Sequence, residues 1–182
     1  MAYPYARQLC YPVDEYRVNG LGFGVYGIFG GVDWGEHLGE DVICSAGTPV
    51  VSIGRGSVVY SALHAGSATK GNWGNIIIVV HKHPVTHKLF YTLYGHLGER
   101  NKKKGARVDM GDVIGLVGKS NTVDNGWWQE EHLHFGIYVG AWDGTVLPGY
   151  FKSEQKRTKK EDWVRPSDFI AQYSNHSPFS KI

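Results

Sequence analysis

Asn75-Ile76-Ile77-Ile78-Val79-Val80-His81 is the stretch that decides the fold. A continuous β-branched run of this kind is the signature of a central strand buried on both faces. Residues 88–96 follow as its expected hairpin partner, across a connection that contains Pro84 and Thr86. Working outward, residues 41–44, 49–53 and 56–63 read as further strands, as do 113–118 and 132–139. Residues 18–25 carry three glycines among apolar side chains, which predicts a first strand with close backbone approaches. No amphipathic helix is visible before residue 140. The chain holds 25 glycines, well above the ~7% of average usage, scattered without a three-residue period. The expectation is a mainly β protein: an antiparallel sheet sandwich or half-barrel with glycine-rich hairpins.

At 182 residues the chain fits a single domain, with a β core over about 18–140 and an extension over 141–182. Residues 152–162 are charge-rich and predict a solvated, mobile face. Arg165-Pro166-Ser167-Asp168-Phe169-Ile170-Ala171 places proline and polar residues ahead of apolar ones, which predicts a short C-terminal helix. Lys plus Arg is 19 against Asp plus Glu at 17, so no strong field points to nucleic acid. Nothing approaches a transmembrane span, and no basic start leads into an apolar segment. Cys10 and Cys44 belong to no Cys-x-x-Cys pair and read as small buried hydrophobes, with a single disulfide open to an exported protein.

The chemistry is concentrated in histidine. His132-Leu133-His134 sits inside a predicted strand, where side chains at i and i+2 leave the same face. Imidazoles on a rigid strand suit a borderline-soft metal such as zinc. His37-Leu38-Gly39-Glu40-Asp41 adds a nitrogen and oxygen pair, and Tyr94-Gly95-His96-Leu97 ends another strand. His64, His81, His83, His87 and His176, each taken alone, read as ordinary core or surface residues.

These fragments, in this order, make the chain resemble the lysostaphin-type (LytM-type) zinc endopeptidases, which cut peptides of the bacterial cell wall. The family pattern of His-x-x-x-Asp, aromatic-x-His-Leu and His-x-His-Phe is met by His37 and Asp41, by Tyr94 to Leu97, and by His132 to Phe135. Connecting pieces match as well: Ala46-Gly47-Thr48-Pro49-Val50-Val51, Gly71-Asn72-Trp73-Gly74-Asn75 and Gly111-Asp112-Val113-Ile114-Gly115-Leu116-Val117-Gly118. The resemblance covers roughly residues 18–140.

Carried over, it implies one zinc ion bound by His37, Asp41 and His134, with His96 and His132 as catalytic groups beside it. Three protein ligands leave the open position that a catalytic site needs. Of the two catalytic histidines, one would move the proton of attacking water, an effect typically of ~10²–10⁴-fold. The other would donate to the developing oxyanion; which does which stays open. The resemblance further implies a peptidoglycan peptide as substrate, a monomer, and a location in the cell envelope (periplasm) or outside the cell. Both glycine-rich cross-bridges and directly linked stem peptides stand as substrates. The competing reading is a non-catalytic module that binds cell wall or activates another hydrolase; its marker, a missing ligand, is not found.

Three departures from the family pattern stand out. Glu40 replaces a usually apolar residue and either faces solvent or competes as an extra oxygen ligand. Gly136 replaces a frequently acidic residue, which would loosen support around the metal. The link from Asn121 to Glu131 is longer and more aromatic than usual, so Trp127 and Trp128, like Trp34, either pack the core or wall a substrate groove.

Overall fold

The computed structural model describes residues 3–154 and 157–174. The first half of the chain forms β1 (Tyr26–Phe29), β2 (Val32–His37), β3 (Glu40–Ile43), β4 (Pro49–Val51), β5 (Gly56–His64) and β6 (Gly74–Lys82). Then come β7 (Leu89–Arg100), β8 (Arg107–Val108), β9 (Val113–Val117), β10 (His132–Tyr138), β11 (Tyr150–Phe151), β12 (Trp163–Val164) and helix α1 (Pro166–Ser174). Nine strands make one sheet along the path β12-β10-β7-β6-β5-β8, with β3 on β10 and β9 joining β7 to β4. β1, β2 and β11 form a separate three-stranded sheet. All of these strand pairs are antiparallel. Among the described residues no helix is long and apolar enough to cross a membrane.

The isoleucine-valine run is β6, and it lies between β5 and β7. Ile77 and Val79 enter one apolar cluster with Leu133, Phe135 and Ile137; Ile76, Ile78 and Val80 enter a second with Leu38 and Leu93. Each such buried side chain contributes about 1.5–3 kcal/mol relative to exposure. Pro166 opens α1, where its missing N–H would be unpaired in any case. Cys10 and Cys44 are both free thiols.

Two expectations need correction. Residues 18–25 form no strand. Their backbone instead bonds in short pieces around the corner between β2 and β3: Asp41 donates to Leu21, Gly20 to Asp41, His37 to Val25 and Gly24 to His37. A Cβ at Gly20 would lie 2.9 Å from that of Asp41, so glycine permits the approach while the corner prevents a ladder. The charged run over 152–162 is mostly exposed but not featureless: Thr158 is buried and Lys160–Asp162 makes a single 3-10 turn. Residues 155 and 156 of that run, and His176, lie outside the described residues. The hairpin of β1 and β2 escaped the sequence pattern. It turns through Gly30-Gly31, both at positive φ, as a tight two-residue hairpin turn demands.

His81 is the core histidine that its position in β6 implies. Its Nδ1–H donates to the Arg55 carbonyl at 3.0 Å, so Nε2 accepts from the Thr92 hydroxyl at 2.8 Å. Burial pushes its pKa down to about 4. In the unfolded chain the ring takes a proton below its ordinary value of about 6.5, so the stability it supplies is full above that pH and is lost as pH falls toward 4. His81→Gln should therefore lose less stability across this window than the wild type, by up to about 1.4 kcal/mol per pH unit. Urea melts at stepped pH on chelated protein test this; parallel losses in both proteins would contradict it.

Candidate metal centre

Strand register builds the site. His134 of β10 lies directly opposite Asp41 of β3, and cross-strand partners share a face, so carboxylate and imidazole are side by side. His132, two residues earlier, leaves β10 on that same face. His37 ends β2, and the Leu38-Gly39 corner returns the chain into β3 so that His37 reaches Asp41 four residues on.

The three ligand-type atoms are His37 Nε2, Asp41 Oδ1 and His134 Nδ1. They are separated by 2.9 Å between the two nitrogens and by 3.3 and 3.1 Å from the oxygen to His37 and His134. All three residues are buried. His37 donates its Nδ1–H to the Gly22 carbonyl at 3.2 Å, which leaves the Nε2 lone pair pointing at the other two atoms. Asp41 Oδ1 is buried without a well-aligned hydrogen bond. Burial works to raise the Asp41 carboxyl, but the adjacent His134 and His37 rings outweigh it and hold it well below the usual carboxylate range. His134 is driven the other way: burial pushes it down to about 4, so the ring is neutral at ordinary pH.

Two imidazole nitrogens and a carboxylate oxygen are a donor set that suits zinc. Tetrahedral zinc with ligands at ~2.0–2.1 Å would set them roughly 3.3 Å apart. The observed triangle fits that spacing.

His96 reaches the site by a different device. Tyr94 and Leu97 both face the core, and β6 spends one residue fewer than β7 over this interval, pairing Ile77 with Tyr94 and Asn75 with Leu97. The extra residue is a bulge, and His96 sits in it at φ +62°. Its ring thereby stands 4.6 Å from that of His132 and 6.1 Å from that of His134. His96 donates Nδ1–H to the Asn125 carbonyl at 3.1 Å and His132 donates Nδ1–H to the Glu130 carbonyl at 3.0 Å. Each is left with a free Nε2. Burial, followed by the neighbouring His132 and His134 rings, holds His96 well below the ordinary histidine value.

A groove runs over these residues, lined by Asp41, His96, His132 and His134 together with an aromatic wall. Trp34 of β2 and Trp128 of the long link meet at 5.5 Å, Tyr150 stands 5.6 Å from Trp34 and 5.1 Å from His37, and Trp128 lies 5.6 Å from His96. Trp34, Trp127 and Trp128 are thus groove residues. Trp73 and Tyr150 also line it, and no periodicity marked them: Trp73 precedes β6 and Tyr150 starts a two-residue strand. Gly95 and Gly149 make room for the Trp73 ring, whose centroid is 4.8 Å from that of His134.

Of the two departures beside the candidate ligands, Glu40 differs from expectation, whereas Gly136 leaves the His134 ring without a partner on that side, in line with it. Glu40 neither meets solvent nor faces the cluster of His37, Asp41 and His134: it is 1% exposed and accepts hydrogen bonds from Tyr16 and Ser167. At Gly136 a Cβ would sit 3.1 Å from the Leu38 carbonyl and 3.2 Å from the Trp163 ring, so a side chain there would need both neighbours to give by a few tenths of an ångström. His134 Nε2 has no partner there. Gly39 is tighter still, since a Cβ would lie 2.6 Å from His134 Nε2. Gly39→Ala should destabilise the fold by about 1–3 kcal/mol through overpacking. A denaturant melt measures it, and an unchanged midpoint would contradict this packing.

The profile described as Peptidase family M23 matches residues 35–148. Glycyl-glycine endopeptidase ALE-1 of Staphylococcus capitis is 36% identical over 123 residues, which are 68% of this chain and 29% of that protein. Peptidoglycan DD-endopeptidase ShyA of Vibrio cholerae serotype O1 is 32% identical over 103 residues, 57% of this chain and 20% of that protein. The chain therefore spans less than a third of these curated relatives. The catalytic domain of the antimicrobial peptidase lysostaphin from Staphylococcus simulans superposes with a TM-score of 0.55 at 26% identity, covering 84% of this chain and 90% of that one.

Proposed function

This chain belongs to peptidase family M23, and from that premise we propose that it hydrolyses peptide bonds of bacterial peptidoglycan with one zinc ion held by His37, Asp41 and His134. The observation that carries the reading is the buried triangle of two ring nitrogens and a carboxylate oxygen, spaced for one ion. Zinc bound there supplies Lewis acidity toward a carbonyl and lowers the pKa of water to about 7.

We assign proton transfer to His96: its Nδ1–H is committed to Asn125, which leaves Nε2 facing the groove. His132, with Nδ1–H committed to Glu130, presents Nε2 to the same groove, and a proton carried there would be donated to the oxyanion developing on the substrate. Trp34, Trp128 and Tyr150 narrow the groove, and Gly20, Gly71 and Gly149 line it without side chains. Such a cleft suits an extended peptide of small residues, so glycine-rich bridges are the first substrate to test and directly linked stem peptides the second. Such a substrate implies work in the cell envelope or outside the cell, and we infer that the chain acts there as a monomer built on one catalytic domain.

Zinc content and activity should separate the residues into two groups. His37→Ala and His134→Ala should lose zinc and activity together. His96→Ala and His132→Ala should keep stoichiometric zinc yet lose activity by ~10²-fold or more. Elemental analysis beside digestion of purified walls, with identification of the new amino termini, reads both. Zinc retained by the first pair, or no product from either wall type, would overturn the assignment.

A further inference from the structure

We propose that Glu40 is a positioning residue for the metal site, latching β3 to helix α1 and to the amino-terminal lead-in. The inference rests on the reading of His37, Asp41 and His134 as the zinc ligands.

Glu40 and Asp41 are consecutive in β3, so their side chains leave opposite faces of one strand. Asp41 faces His37 and His134. On the other face Glu40 Oε2 accepts from the Tyr16 hydroxyl at 2.6 Å and the Ser167 amide at 2.9 Å, while Oε1 accepts from the Ser167 hydroxyl at 2.7 Å. Three donors on one buried carboxylate make charge-assisted bonds, which are roughly twice as strong as neutral ones. Ser167 is the second residue of α1, where helical amides point outward and the helix end favours negative charge. One side chain thus ties together segments 24 and 127 positions away in sequence.

The consequence for Asp41 is mechanical. β3 is only four residues long, with β10 on one edge and short contacts from Gly20 and Leu21 on the other. A ligand distance tolerates only about ±0.2 Å, and an aspartate side chain is too short to correct a rotated backbone. The bonds to Glu40 oppose that rotation from the far face. An apolar residue could fill the same volume but could hold neither Tyr16 nor Ser167. Both of those partners lie outside residues 35–148, so the support comes from parts of this chain beyond the family match.

The test is zinc affinity, measured by competition with a chromophoric chelator at neutral pH and at a temperature where circular dichroism shows every variant folded. Glu40→Gln keeps the volume but puts a donor against donors, and should raise the zinc Kd about 10-fold, the lower end for lost outer support of a metal ligand. Ser167→Ala removes a single hydroxyl and should raise it about threefold. In the double variant the loss should match that of Glu40→Gln alone, because one latch is broken once. A Glu40 with only a structural role would lower the melting temperature and leave the zinc Kd within twofold of wild type, which overturns the proposal. Should Glu40→Gln fail to fold, Ser167→Ala decides: an unchanged Kd overturns it. Wild-type protein is the control that separates the two claims. If it binds no zinc, the metal reading falls and the latch with it; if it binds and both variants bind equally, only the latch falls.

Discussion

Two ring nitrogens and a carboxylate oxygen converge in a place water scarcely reaches. His37 Nε2 and His134 Nδ1 are 2.9 Å apart, and Asp41 Oδ1 is 3.3 and 3.1 Å from them. His37 has spent its only neutral-ring hydrogen on Gly22, so it has none to offer inward. Polar atoms buried this close need a shared partner, and one cation would serve all three. The rest of the architecture acts to hold this arrangement. The β3–β10 register sets Asp41 opposite His134, and glycines at 39, 136 and 149 close around the His134 ring. The lead-in over 20–25 braces the corner between His37 and Asp41.

The remaining two histidines illustrate how a sheet delivers side chains that simple alternation does not. His132 follows from the period of two. His96 does not: without the bulge between Tyr94 and Leu97 its ring would enter the core face that those two residues occupy. A left-handed backbone at a non-glycine residue costs of order 1–3 kcal/mol, and here the hydrogen bonds from His96 N to Trp73 and from Gly118 N to His96 hold it in place. The strain sits at the residue whose placement the proposed chemistry needs most.

Much of this was legible in the residues themselves, and the pattern of success has physical reasons. β6 and β7 stood out because a doubly buried strand needs an unbroken apolar run, and His132/His134 because strand periodicity is rigid. The helix over 166–174 was announced by Pro166. The hairpin of β1 and β2 was not visible, since Tyr26, Ile28 and Val32 are exposed and show no buried stripe. Glu40 was misread because its partners Tyr16 and Ser167 are distant in sequence, and no local pattern encodes a bond spanning 127 positions. Tyr150 and Trp73 were missed for the same reason: only the tertiary fold brings them to His37 and His134.

The central claim is that two imidazoles and one carboxylate share a single ion. Anomalous diffraction at the zinc edge, on crystals grown with the metal, tests it most directly. The account predicts one strong peak inside the triangle of His37 Nε2, Asp41 Oδ1 and His134 Nδ1, with His96 and His132 outside bonding distance. A peak bonded to His96 or His132 in place of any of those three, or no peak at the triangle, would contradict it.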